Sequence, residues 1–448
     1  MADDFQVLKR IFNAFDPFKP LPAGDPVYVD CQEVRGDGNI LEELGKEIRF
    51  ADRTTCQLYA GHRGAGKSTE LLRLKKDLED HQFRVVYFAA DEEDIDAEDT
   101  QYTDILLACT RHLMQGLKGS AQNPVAKWLQ ERTRSLVVLM GSEMKFEGVA
   151  IESQISQFAK LTATLKASPN TRHEIRREIE PHTVSLIDAL NEFIAEAMVR
   201  QNESTHQLVV IADSLDRITP IVDSESGRSN YDQIFIDRSE QLKSLDCHVV
   251  YTVPISMVHS NRASDMQAIY GTGTQVLPMV MVRSPDNQPY EPGIQKLKEL
   301  IYRRVEMAVP RYALEPDLPE IFDQRQTLEQ LCLMSGGHVR DLLLLMQAAV
   351  KRTDRLPVTV RAAQRAISEV RETYHRTVDD QQWPILAEVG RTKEIRNDET
   401  HRNLLFRRCI LEYRVLDADG AIKPWYDVHP LIRGLKEFQE ALQEAEAR

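Results

Sequence analysis

Gly61-His62-Arg63-Gly64-Ala65-Gly66-Lys67-Ser68 gathers three glycines, an amine and a hydroxyl into one short stretch. Residues of these types at this spacing suit phosphate chemistry. Glycines let successive backbone N–H groups turn inward around phosphate oxygens, and a following helix adds its positive dipole end. Lys67 then reaches the β and γ phosphates, Ser68 ligates Mg²⁺, and Thr69 completes the loop. The ligands this implies are ATP and Mg²⁺. A second group sits far downstream, where Asp213 and Asp216 follow the apolar run Leu208-Val209-Val210-Ile211-Ala212. Carboxylates at the end of a buried strand are where open α/β sheets bind ligands. Asp213 is expected to hold Mg²⁺ through water, and Asp216 to orient or deprotonate the attacking water.

Two further residues belong to the same chemistry. Thr252 closes the run Val249-Val250-Tyr251 and is placed to contact the γ-phosphate or the lytic water; a plain strand-end threonine is the other reading. Arg340 follows Ser335-Gly336-Gly337-His338-Val339, where two glycines stop one helix and set an arginine in the first turn of the next. It either swings over a γ-phosphate or pairs with a surface acid.

The elements that must position these groups read as follows. Cys56–Ala60 is a short strand and Thr69–Lys76 an amphipathic helix, so the glycine loop has its required strand–loop–helix context. Residues 84–88 form a second strand, 208–212 a third, 247–253 a fourth, and 275–282 a further strand candidate inside a Gly- and Pro-containing loop region, 259–292. Helices are expected over residues 1 to about 20, with Phe5, Leu8, Ile11 and Phe12 on one side, and over 41–49, 102–118, 123–139, 183–200 and 234–245. Phe146–Ile151 reads as a hairpin or a loop. Helices at 294–308, 326–334 and from His338 onward form a helical region. An apolar helix face at Leu404-Leu405-Phe406 and strands at 409–413 and 425–430 then outline a winged helix.

Other chemistry-bearing residues carry less. Tyr28 is either a packing surface for an adenine base or a packed strand tyrosine. The acidic run Asp91-Glu92-Glu93-Asp94-Ile95-Asp96 either holds a cation or is a solvated loop. His429 lacks metal-spaced partners and reads as structural. The six cysteines (Cys31, Cys56, Cys109, Cys247, Cys332, Cys409) are scattered without paired spacing, as buried reduced thiols of a cytoplasmic protein are.

The chain has 448 residues, enough for two or three domains, and its 42% apolar and 28% charged content is that of a globular protein. No apolar run approaches the ~20 residues of a membrane span, and the N-terminus lacks a signal-peptide layout. A net charge of −14 excludes a protein that coats nucleic acid through bulk charge, while leaving room for a local basic face.

Taken in order, Gly61–Ser68, Leu208–Arg217, Thr252 and Ser335–Arg340 resemble the AAA+/STAND branch of P-loop ATPases over roughly residues 25–440. The Ser-Gly-Gly-x-x-Arg lid motif is similar to that of origin-recognition initiators, and Asp-x-Leu-Asp-Arg to KAP and STAND NTPases. The resemblance implies a five-strand parallel core with the Walker B strand beside the P-loop strand, and a helical lid with a sensor arginine. It also implies oligomers in which neighbours share the ATP site. By position Lys67 and Ser68 match the phosphate and Mg²⁺ residues, Asp213 the Mg²⁺ acid, Thr252 the first sensor and Arg340 the second. Ser214 departs from the pattern, which usually has Glu there, so Asp216 must act as base or turnover is slow. Arg238 and Arg262 are candidates for an arginine finger.

The expected fold is α/β: a P-loop NTPase parallel sheet with helices on both faces, then a helical lid and a winged-helix-like domain. The division is residues 1–25, 26–290 with a helical insertion at about 120–200, 291–375 and 376–448. The expected function is a cytoplasmic, homo-oligomeric ATPase switch acting on a separate effector or sensor protein, by analogy in a bacterial antiphage defence module. The alternative is a DNA-binding initiator or loader, with local charge from Arg391, Lys393, Arg396, Arg402, Arg407 and Arg408. A small-molecule kinase is a third class, disfavoured by the long lid and the lack of an acceptor pocket.

Overall fold

The computed structural model describes residues 2–36, 38–117, 123–140, 151–200, 207–223, 225, 227–417 and 419–447. The chain divides into two compact units. One comprises Ile40–Ala60 and Leu74–Gln275; the other comprises Met1–Asn39, Gly61–Arg73 and Val276–Arg448.

The first unit is built on the strands β1 (Cys56–Gly61), β2 (Arg84–Ala89), β3 (Leu208–Asp213) and β4 (His248–Pro254); β5 (Gln275–Leu277) lies where the chain leaves it. The parallel sheet has the order β2-β3-β4-β1-β5. Register between β2 and β3 runs from Arg84↔Leu208 to Ala89↔Asp213, and between β3 and β4 from Val209↔His248 to Ala212↔Tyr251. Every residue of β3 and β4 is buried, which explains their unbroken apolar runs: strands covered on both faces need no polar alternation. This order corrects one expectation. β4 lies between the glycine-loop strand and β3, so the carboxylate-bearing strand is one place removed from β1. The Val249 N–H to Thr55 carbonyl bond of 2.8 Å and the Thr55–His248 pairing tie β4 to the entry of β1.

Helices Tyr102–Leu117, Pro124–Met140, Ile151–Ala167, Pro169–Ile179 and Thr183–Arg200 fill the insertion between β2 and β3. Phe146–Ala150 lie outside the described residues; Ile151 opens a helix. The acidic run is divided: Glu92 and Glu93 are exposed, while its three aspartates are paired with basic side chains. Asp94 pairs with Arg111 and His112 (both 2.8 Å), Asp91 with Arg217, and Asp96 with Arg172 at 2.6 Å. Arg172 is 2% exposed and also bonds Asp99, while Arg176 bridges Asp99 and Asp104. A buried guanidinium without these carboxylates would be costly, so the run and the basic helix specify each other. No metal-competent cluster of His, Cys, Asp or Glu exists among the described residues.

Two local expectations also change. The 259–292 region contains a helix, Ala263–Tyr270, and β5 is only three residues long, at Gln275–Leu277. No helix of the described residues is long and apolar enough to cross a membrane.

In the second unit, the first helix is Ala2–Ala14, shorter than predicted because Pro17 and Pro20 follow it. Its buried face is Val7, Leu8 and Ile11, continued by Phe15; Phe5 is 64% exposed. It packs on Glu291–Ala308 and Val339–Lys351, which with Arg325–Met334 and Val360–His375 form a helical lid. The C-terminal part is two helices, Trp383–Thr392 and Glu399–Phe406, then an antiparallel hairpin of β6 (Ile410–Leu416) and β7 (Ile422–Val428). Short helices Pro430–Arg433 and Lys436–Glu446 complete it.

Candidate functional site

Within the second unit, each carbonyl of the glycine loop from Gly61 to Ala65 has a partner. The Lys67 ammonium donates to the carbonyls of Gly61 (2.9 Å) and His62 (3.0 Å). The His338 ring donates from Nε2 to Arg63 O at 2.8 Å, the Arg340 N–H to Gly64 O at 3.2 Å, and the Arg35 guanidinium to Ala65 O at 2.9 Å. Within the loop the Ala65 N–H donates to the His62 carbonyl at 3.1 Å. Gly64 and Gly66 have φ of +94° and +112°, values side-chain-bearing residues rarely adopt. A Cβ on Gly64 would lie 2.7 Å from the His338 ring, so glycine also admits the lid motif at that point. The residues fit a phosphate group and its metal: a glycine loop held at positive φ, a buried ammonium, and the Ser68 hydroxyl in the first turn of the helix Lys67–Asp80.

The lid motif works as a backbone grip. His338 caps the helix Val339–Lys351 by accepting the Asp341 N–H at Nδ1. That fixes its tautomer, because Nε2 must then carry the proton given to Arg63 O. Arg340 donates from Nε to Pro17 O at 3.3 Å, and its guanidinium lies 6.0 Å from the Phe18 ring. Nearby, the Thr69 hydroxyl accepts the Leu21 N–H at 3.2 Å. Tyr28 is in no strand; its hydroxyl bonds Glu70 at 3.2 Å, and Arg73 stacks over its ring.

Below the lid lies an ionic knot, buried except for Arg408 at its edge. Asp341 receives Tyr374 (2.6 Å), His429 Nε2 (3.1 Å) and Arg408 (3.4 Å). Burial alone would raise its carboxyl, but the His338 and His429 rings outweigh that and hold it well below the usual carboxylate range. Burial lowers His429, against the pull of Asp341. His429 is therefore structural, as the sequence indicated: its Nδ1 accepts the Leu431 N–H and caps the helix Pro430–Arg433.

In the first unit, Asp213, Asp216 and Thr252 come to the ends of the neighbouring strands β3 and β4. Asp213 Oδ1 accepts the Ser214 N–H at 2.6 Å, and Oδ2 accepts the Tyr87 hydroxyl at 2.8 Å. Tyr87 was missed by sequence reading; its register opposite Ile211 on β2 is the signal that locates it. Ser214 has φ of +68° and turns the chain into the short helix Leu215–Arg217, which carries the buried Asp216. The Thr252 hydroxyl accepts the Leu215 N–H at 2.9 Å, so Thr252 fastens β4 to this turn. Tyr231 is pushed well up by burial, with the Asp216 charge adding to the shift. Arg238 pairs with Glu180 (3.0 Å) and lies over Tyr102, and Arg262 pairs with Asp237 and Asp265.

No family model matches the chain, and no curated protein matches it. Several solved structures are similar to it at low identity. Cdc6p from Pyrobaculum aerophilum is 12% identical over 97% of this chain and 98% of that one, with a TM-score of 0.39. The Aeropyrum pernix ORC2 protein, solved as ADPNP–ADP complexes, is 10% identical over 97% and 98%, with a TM-score of 0.43. The Walker-type ATPase PABY2304 of Pyrococcus abyssi is 14% identical over 96% and 99%, with a TM-score of 0.40.

Proposed function

We propose that the chain is a P-loop ATPase of the AAA+ type, which binds ATP with Mg²⁺, hydrolyses it and uses nucleotide state as a switch. The observation that carries this reading is the glycine loop, whose carbonyls from Gly61 to Ala65 are all hydrogen-bonded, those of Gly61 and His62 by the Lys67 ammonium itself. In this reading the amides of residues 61–69 and the Lys67 ammonium hold the phosphates. Ser68 and Asp213 hold Mg²⁺, Asp213 through water. Mg²⁺, when bound, neutralises charge between the β and γ oxygens. Asp216 takes the proton of the attacking water, since Ser214 has no carboxylate. Thr252 senses the γ-phosphate from β4, and Arg340 does so from the lid. Assembly into a homo-oligomer belongs to the same proposal. Isothermal titration with ATP and Mg²⁺, together with phosphate release, tests it; no binding overturns it.

Two targets for the switch have support. An initiator or loader acting on DNA is favoured by the helix–helix–hairpin order of residues 383–428 and the initiator-like lid motif. The other target, an effector protein, has only the pairing of the basic side chains there to set against DNA. Lys393 bonds Asp427 (2.9 Å), Arg396 Glu388 (2.6 Å), Arg407 Asp379 (3.6 Å) and Arg408 Asp341 (3.4 Å). Duplex binding that weakens steeply between about 50 and 200 mM salt supports the DNA reading, and its absence overturns it.

A further inference from the structure

We infer that His62 latches the C-terminal hairpin onto the phosphate loop, so that ATP binding and hairpin docking oppose each other. The inference rests on the nucleotide reading above and names the element that the switch moves.

The geometry is a short chain of bonds within one unit. Lys67 donates to the His62 carbonyl at 3.0 Å. The His62 side chain accepts, at Nε2, the backbone N–H of Glu412 on β6 at 2.9 Å. One residue thus joins the phosphate-binding amine to the hairpin. Glu412 stands opposite Tyr426 of β7, yet its N–H and carbonyl both point away from that strand: the carbonyl accepts the Met279 N–H at 3.1 Å. The outer edge of β6 is therefore occupied by the loop histidine and by the segment after β5. An edge strand needs such cover, and its removal exposes unpaired backbone. His62 and Glu412 are each 1% exposed, so neither end of the bond has water as a ready substitute. The docking is close on both sides of it. A Cβ on Gly36 would lie 2.8 Å from Arg414, and the Tyr413 hydroxyl donates to Gly336 O at 2.7 Å.

The direction follows from counting donors. An ammonium has three N–H groups, and two are on the Gly61 and His62 carbonyls. A triphosphate asks Lys67 for contacts to both β and γ oxygens. At least one of the two carbonyls must then be given up; when it is that of His62, the oxygen keeps only the Ala65 N–H at 3.1 Å, and the backbone that aims the ring at Glu412 is held less firmly. Linkage makes the effect reciprocal: whatever loosens the hairpin must raise affinity for ATP by the same factor.

The test uses the full chain, with amide hydrogen exchange at Glu412 and the affinity of a fluorescent non-hydrolysable ATP analogue with Mg²⁺. The analogue should speed Glu412 exchange at least tenfold. His62→Ala should speed it without nucleotide and make it insensitive to nucleotide; His62→Gln, which keeps an acceptor, should restore protection. Tyr413→Phe, remote from the loop, should raise analogue affinity at least threefold. Glu412 exchange unchanged by the analogue, or unchanged in His62→Ala, overturns the inference, as does an unaltered affinity in Tyr413→Phe. Failure of the wild type to bind the analogue sinks the nucleotide reading and the coupling together, while exchange in His62→Ala still judges the latch by itself.

Discussion

The backbone N–H of Arg340 donates to the carbonyl oxygen of Gly64 at 3.2 Å, so the lid helix begins on the phosphate loop itself. The side chain proposed to sense nucleotide is fixed at its root by the loop it reports on. Arg340→Ala should leave that backbone bond intact and bind ATP within a few-fold of wild type. Hydrolysis should fall by ~100-fold, the scale for removing one preorganised charge from a transition state. Steady-state phosphate release set against titration calorimetry separates the two.

Lys67→Ala removes an ammonium and two charge-assisted bonds to phosphate, worth about 3 kcal/mol or more together. Affinity for ATP should drop by more than ~100-fold. Retained binding by calorimetry would move the phosphate site elsewhere.

Asp216→Ala should keep ATP binding and lower turnover by ~100-fold or more, as loss of a general base does. Asp213→Asn should instead weaken the dependence on Mg²⁺. If Asp216→Ala turned over at the wild-type rate, another group would have to be the base.

Gly337→Ala tests the lid turn. A Cβ there would lie 1.7 Å from the Val280 carbonyl oxygen, and φ is +76°. The variant should lose at least about 2 kcal/mol of stability from steric and backbone strain combined. A melting curve matching wild type would contradict the packing of this turn.

Stability should fall as pH drops through 7 to 5. Burial holds His429 below its ordinary value, so the unfolded chain binds the extra proton first. Protons bound to the unfolded state make stability rise with pH, by up to about 1.4 kcal/mol per unit for one group. The stabilisation is complete above the ordinary histidine range and is lost below it. Asp341, held low, adds a separate loss only in stronger acid. Thermal melts from pH 8 to 5 should slope this way, and less steeply in His429→Gln.

What the sequence made legible was what neighbouring residues determine. The glycine loop, the all-apolar β3 and the Ser335-Gly336-Gly337 stop are local patterns with local causes. Strand order is not local: nothing in Leu208–Ala212 says that β4 intervenes between it and β1. The acidic run at 91–96 looked solvated because its partners, Arg172 and Arg217, lie far along the chain. The bond from Glu412 to His62 was illegible for the same reason, spanning 350 positions. Phe5 falls at helical spacing with Leu8 and Phe12, yet the packed face runs through Val7, Leu8 and Ile11, which spacing alone does not choose.

The lid-bearing unit is assembled from three separated stretches of chain. On a ribosome its first two, ending at Arg73, leave the exit tunnel long before Val276–Arg448 exists. At about 5–20 residues per second the wait is on the order of tens of seconds. Through that interval the glycine loop has none of the lid donors that hold its carbonyls, and the helix Ala2–Ala14 has nothing of the later chain to cover its apolar face. The order in which the stretches emerge, rather than their contacts in the finished chain, sets how long that face waits for its cover.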